Sequence, residues 1–241
     1  LTLDELAEAR DRIFSYKNRS LMLPTSKRGG TKISAKSLKE AVLDGLGACV
    51  SDLVKPYIKT FSFKGYEEWS KLITNSSGKK GWLKVFRGGL IFHALRDVFQ
   101  SIETMGTGGG LHRRMFADFL GEAAEVTKKK ALAGHAKSYR ALAEQWTEFA
   151  DAALPNRVAP FKKTKTLLRR RERLFREKGV KARAQMLKAN DELTQIQKDM
   201  MGSLPLGAPE FEALLLGLRE RLDELIVSEH AALDALAKSV A

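Results

Sequence analysis

Residues 132–156, LAGHAKSYRALAEQWTEFADAALPN, decide the fold class. Leu132, Ala136, Tyr139, Leu142, Ala143, Trp146, Phe149, Ala150 and Ala153 recur every three or four positions, which places them on one face of a helix, and Pro155-Asn156 ends it. Burying such a face is worth ~1.5–3 kcal/mol per large side chain, so it must pack on other elements. The segment before it repeats the pattern. Leu111, Met115, Phe116, Phe119, Leu120, Ala123 and Ala124 form a second stripe, with Arg114 and Asp118 expected to pair four apart on the wet side.

Working outward, Thr2 and Glu5 stand at capping-box spacing before Leu3, Leu6, Ile13 and Phe14, a short opening helix, and residues 16–35 read as an irregular loop. Ser37 and Glu40 repeat the capping-box spacing ahead of Leu38, Ala41, Val42, Leu46, Cys49, Val50 and Leu53, a helix closed by Pro56. Tyr66, Trp69 and Leu72 mark a short helix that ends in Asn75-Ser-Ser-Gly78. A single helix is expected from about Trp82 to Glu103. Beyond Pro160 comes a basic helix with Leu167, Leu168, Leu174 and Phe175 on its apolar face, and Gly179 breaks or bends it. Ala189, Leu193, Ile196 and Met200 continue the pattern, and Pro209 opens a last helix carrying Phe211, Leu215, Leu218, Leu222, Leu225, Leu233 and Leu236. Alternating strand patterns are too short to count. The chain reads as mainly α: a multi-helix bundle over residues 1–155, followed over 156–241 by the basic helix and a long helical hairpin packed on, or projecting from, that bundle.

Charge narrows the partners. The 241 residues carry a formal net charge of +13. Residues 157–183 alone hold twelve basic and two acidic groups, leaving +3 for the rest. Such a run either binds phosphates or forms a solvated face or connector. With 44% hydrophobic residues the chain supports a core and is no disordered basic tail. One cysteine cannot make an internal disulfide, which points to a reducing, cytoplasmic setting. No apolar run suits a membrane span. LTLDELAEAR lacks the basic leader and apolar middle of a signal peptide, and its start without Met suggests a fragment or processed chain.

Chemistry-bearing residues are sparse. Cys49 falls in the apolar stripe of its helix and is expected to be a buried, inert thiol. His93 reads as a hydrogen-bonded core imidazole, and His135 and His230 as surface or seam residues. No two His or Cys stand at ligand-pair spacing, so no metal or catalytic residue is assigned. The one compact feature is GTGGGLHRR, residues 106–114. Gly106, Gly108, Gly109 and Gly110 ahead of a helix let backbone amides approach an anion, with Arg113 as a cationic donor. The equal alternative is a tight interhelix turn with Arg113 pairing a buried carboxylate. No Lys-Ser or Lys-Thr follows the glycines, so this is not a P-loop.

GTGGGLHRRMFADFLGEAAE and YRALAEQWTEFADAALP, with LTLDELAEAR, KSLKEAVLDGL and FKGYEEW upstream, resemble the helical C-terminal region of proteins related to butirosin biosynthesis protein H. The resemblance covers residues 1–155 and, more loosely, LRERLDELIVSEHAALDAL in the last helix. The glycines and Arg113 agree with that pattern; His112 stands where an aromatic or apolar residue is expected, and 157–183 looks like an addition. The resemblance implies an upstream cysteine-peptidase-like domain, in the same chain or a separate one, that holds the nucleophilic Cys and its His, and acyl transfer from an acyl carrier protein to an amine. This chain would then be a non-catalytic helical wall of the substrate cleft.

On that reading Lys162, Lys163, Lys165, Arg169, Arg170, Arg171, Arg173 and Arg176 form a docking surface for an acidic carrier protein, whose phosphopantetheine arm is the only cofactor implied. The rival is a nucleic-acid-binding or scaffold protein that lays the same helix along a phosphate backbone. A third reading is self-assembly into a homo-oligomer through the hairpin.

Overall fold

In the computed structural model, residues 33–58, 60, 62–202 and 204–240 are described, and the chain divides into two compact units at Ser37. The expected opening helix and most of the loop at 16–35 lie outside the described residues. Within the first unit, the Ser34 hydroxyl accepts the Ser37 amide N–H at 3.0 Å. The helix cap is therefore Ser34, and Ser37, expected to cap, sits inside the first turn.

The elements in order are α1 (Ala35–Val54), α2 (Phe63–Ile73), α3 (Trp82–Val85), α4 (Leu90–Glu103), α5 (Arg113–Thr127), α6 (Lys130–Ala153), α7 (Ala159–Lys178), a 3-10 turn (Gly179–Ala182), α8 (Arg183–Gly202) and α9 (Ala208–Val240). No strand occurs among the described residues, so the fold is mainly α as read.

All nine apolar residues expected on the face of α6 are buried. The helix serves two cores. Trp146, Phe149, Ala150 and Ala153 join α4, α7, α8 and the first half of α9 in one cluster, while Leu132, Ala136, Tyr139 and Leu142 join Leu46, α5 and the end of α9 in the other. α9 likewise spans both, with Leu215–Ile226 in the first and Ala232–Leu236 in the second. Two long helices thus tie the clusters together, and buried packing runs across the expected boundary at residue 155.

The long hairpin is made by α7 and α8, joined where Gly179 takes φ 52° as the first residue of the 3-10 turn. α9 leaves the hairpin and packs between α6 and α2, where the Ser70 hydroxyl donates to Asp223.

Four local expectations are corrected. The helix drawn from Trp82 to Glu103 is broken between α3 and α4, because Gly88 takes φ 56° and Gly89 lies so close to the Met200 backbone that a side chain there would overlap it. On α5 the buried face is Ala117, Leu120, Ala123 and Thr127; Met115 and Phe119 are exposed. Arg114 and Asp118 do not pair with each other: Arg114 reaches Glu144 at 3.1 Å and Asp118 accepts from Arg140 at 2.6 Å, both partners on α6. Phe175, expected inside, is 63% exposed.

Candidate functional site

The loop between α4 and α5 is built to turn tightly. Gly106, Gly108, Gly109 and Gly110 all have positive φ, and Leu111 and His112 follow at 49° and 64° although they carry side chains. Gly110 sits directly on Ala143 of α6, where a Cβ would come within 2.7 Å of that residue. The loop's amides turn inward. Glu103 accepts the Gly110 N–H at 3.0 Å and the Thr147 hydroxyl at 2.8 Å, the Thr107 hydroxyl accepts the Gly109 N–H at 3.2 Å, and the Leu111 N–H reaches Ile102 O at 3.1 Å. Two of the four glycine amides offered to an anion in the sequence reading, those of Gly109 and Gly110, already have acceptors.

At the start of α5, successive arginines face different spaces. Arg113 donates through Nε to Glu229 Oε1 at 2.7 Å, through Nη1 to Leu111 O at 3.0 Å and through Nη2 to Tyr66 Oη at 3.4 Å. Trp146 Nε1 donates to the same Glu229 oxygen at 2.6 Å, and the guanidinium lies 5.9 Å from the indole centre. Burial works against the charge on Arg113, but the Glu229 carboxylate and the Tyr66 hydroxyl together outweigh it and raise the pKa of the guanidinium above its ordinary value. Of the two sequence readings of Arg113, the buried carboxylate pair describes this geometry. Glu229 was not singled out from sequence, and Trp146 and Tyr66 were read only as members of helix apolar faces. The signal was present for Glu229, an acid four residues after Leu225 and four before Leu233, on the buried stripe of α9.

The pair forms part of the wall of a cavity of about 390 Å³ that Leu53, Phe63, Phe116, Tyr139 and Cys49 also line. Cys49 is exposed rather than buried, so the inert-core expectation is corrected: α1 buries Leu46 and Val50 and leaves Cys49 on its open side. Burial above all, and then the Glu229 carboxylate, push the Tyr139 phenol up to about 12 against the opposing pull of Arg113. His93, half-buried, meets only the Gln197 amide through Nδ1 at 3.4 Å, and its buried Nε2 has no partner. His135 bonds Ser239 at 2.7 Å, and the His230 ring lies tilted against Phe63 with the ring centres 4.1 Å apart. No group of three or more potential metal ligands occurs among the described residues.

Arg114 points to the other side, into a groove of about 490 Å³ between the glycine loop and α7. One wall carries Glu103, Gly108, Gly109 and Arg114; the other carries Arg169, Arg170, Glu172, Arg173 and Arg176. Five arginines face two glutamates. The two sequence features that stood apart, the glycine loop and the basic helix, thus line one space.

The basic residues of α7 are not equivalent. Lys165 is 3% exposed, with Asp151 at 2.9 Å and the Phe99 ring at 5.9 Å, and belongs to the packing. Arg169 shares Asp151 at 3.1 Å and lies 5.0 Å over Phe99. Lys163 meets Glu192 at 3.1 Å, and Arg171 donates to Asn190 at 2.9 Å. Lys162, Arg170, Arg173 and Arg176 are exposed, and their side chains form no hydrogen bond or ion pair with any described residue.

These features define a mainly helical protein with an arginine-lined groove and a separate aromatic cavity. The chain belongs to the family described as a domain of unknown function, DUF4872, which it matches over residues 4–196. That span takes in α7 and most of α8, so the basic helix lies within the family region. No curated protein and no solved structure matches the chain. No helix among the described residues is long and apolar enough to cross a membrane.

Proposed function

We propose that this chain is the helical, non-catalytic part of a cysteine-dependent acyltransferase- or amidohydrolase-like protein, and that it docks an acidic acyl carrier protein on the exposed face of α7. The observation that carries the reading is the set of unpartnered cations, Lys162, Arg170, Arg173 and Arg176, the last three of which open onto the groove beside the glycine loop. An acidic protein surface would meet the exposed cations, and the phosphate of its phosphopantetheine arm would enter the groove, where planar guanidinium groups suit phosphate oxygens. The nucleophilic Cys and its His belong to an upstream segment or a separate chain, as the sequence resemblance implies. The setting is cytoplasmic.

The test is to measure binding of a holo acyl carrier protein to the wild type and to the triple variant Arg170→Ala/Arg173→Ala/Arg176→Ala. Exposed charges contribute ~0.2–1 kcal/mol each, so together they set a loss of roughly 3- to 100-fold that shrinks as salt is raised. Equal binding by both proteins overturns the docking surface.

A second reading rests on Phe175, exposed between Arg173 and Arg176, which offers a ring on which a base could stack. On that reading the four free cations give a log–log salt slope of roughly −3.6 on duplex DNA. Duplex binding with such a slope, or single-strand binding with one of roughly −2.8, and none to the carrier protein, selects nucleic acid instead.

A further inference from the structure

We infer that the cavity between α1, α2, α5 and α6 is a binding site for a small neutral molecule with an apolar or aromatic body and one hydroxyl group, which donates to Glu229 and accepts from Tyr139.

The walls supply the first half of the argument. Leu53, Phe63 and Phe116 give the cavity an apolar lining, and its volume of about 390 Å³ lies in the range of small-ligand sites, which combine such walls with a few placed polar groups. Those groups converge here. Glu229 Oε1 takes both Arg113 Nε and Trp146 Nε1, whereas Oε2 has no hydrogen bond to any described residue. The Tyr139 hydroxyl also lacks a partner. Both side chains are almost wholly buried, at 3% and 4% exposure, and both line the cavity. Neither atom is sealed into the protein, since His93 Nε2 is the one fully enclosed side-chain polar atom without a partner among the described residues. A buried acceptor and a buried hydroxyl that open only onto a cavity are groups whose hydrogen bonds a ligand completes.

Charge selects the ligand class. Arg113 and Glu229 neutralise each other at 2.7 Å, so a cationic ligand would meet the guanidinium and an anionic one the carboxylate. A neutral hydroxyl meets neither objection. Its proton goes to Glu229 Oε2 and its lone pair receives the Tyr139 O–H.

Cys49 provides the readout, because it is the only cysteine of the chain, is exposed, and lines this cavity. The rate of Cys49 alkylation by iodoacetamide is followed by intact mass while 2-naphthol or its methyl ether, 2-methoxynaphthalene, is titrated. The naphthol should slow alkylation saturably, and the ether, which cannot donate, should need about tenfold more or higher. Tyr139→Phe keeps the ring and removes a hydroxyl that holds nothing in the protein, so the variant folds. It should weaken both probes several-fold, since both oxygens accept the Tyr139 O–H, and keep the preference for the naphthol, which alone donates to Glu229. Calorimetric titration of both probes checks that protection reports binding. No protection by either probe, or equal protection by both, overturns the site.

Discussion

Glu229 shows how much one residue can decide. Its carboxylate holds Arg113 of α5 and Trp146 of α6 through a single oxygen, which locks the start of α5 against α9. Glu229→Gln keeps the shape and removes the charge, leaving the Arg113 guanidinium buried without a counter-ion. A loss of about 3 kcal/mol in urea-induced unfolding is expected. Tyr139 makes the complementary case for pH. Its phenol is held neutral up to about 12 in the fold and ionises near 10 once unfolded. Its contribution is therefore complete below pH 10 and is lost as pH rises through 12, up to about 3 kcal/mol in all. Across that window the wild type should lose more stability than Tyr139→Phe, and parallel curves would contradict this assignment.

At the level of elements, the glycine loop is a packing device as well as a groove wall. Gly110 combines φ 59° with direct contact on Ala143, whereas Gly106 has φ 73° in open space. Gly106→Ala should cost only the backbone strain, ~1–2 kcal/mol. Gly110→Ala adds overlap with α6 and should cost ~1–3 kcal/mol more, read as a further drop in the denaturation midpoint. α7 divides in the same way. Its inner side holds Lys165 and Arg169 against Asp151 and Phe99, and its outer side leaves the side chains of Arg170, Arg173 and Arg176 exposed. The basic run was legible in the sequence as a run, but composition does not say which cations already have anions.

For the whole molecule, the sequence suggested a family-like bundle that ends near residue 155. A chain stopped there would deprive Trp146 and Phe149 of the covering side chains of α7, α8 and α9, including Phe161, Leu193 and Leu222. Residues 1–155 alone should therefore lack cooperative unfolding and the near-ultraviolet circular dichroism of fixed aromatics. A sharp transition in that fragment would show that the first bundle is self-sufficient. Light scattering on the full chain tests the homo-oligomer reading, for which the exposed Phe175, Val180 and Leu187 of the hairpin are the apolar contacts at hand.

By itself the sequence determined what depends on neighbours along the chain. The 3.6-residue period exposes α6 and α9 as buried-face helices, and Pro155, Pro209 and Gly179 mark helix boundaries because their backbone chemistry acts locally. Only the tertiary structure decided which faces were covered and which charges met. Arg113 and Glu229 are 116 positions apart, and the glycine loop meets α7 across some sixty residues. The period of a helix places a side chain on a face; whether that face meets α6, a cavity or solvent is set by elements far away in sequence. That is why Cys49 and Phe175 were misplaced, and why an acid on the apolar stripe of α9 marked a site only once Arg113 stood beside it.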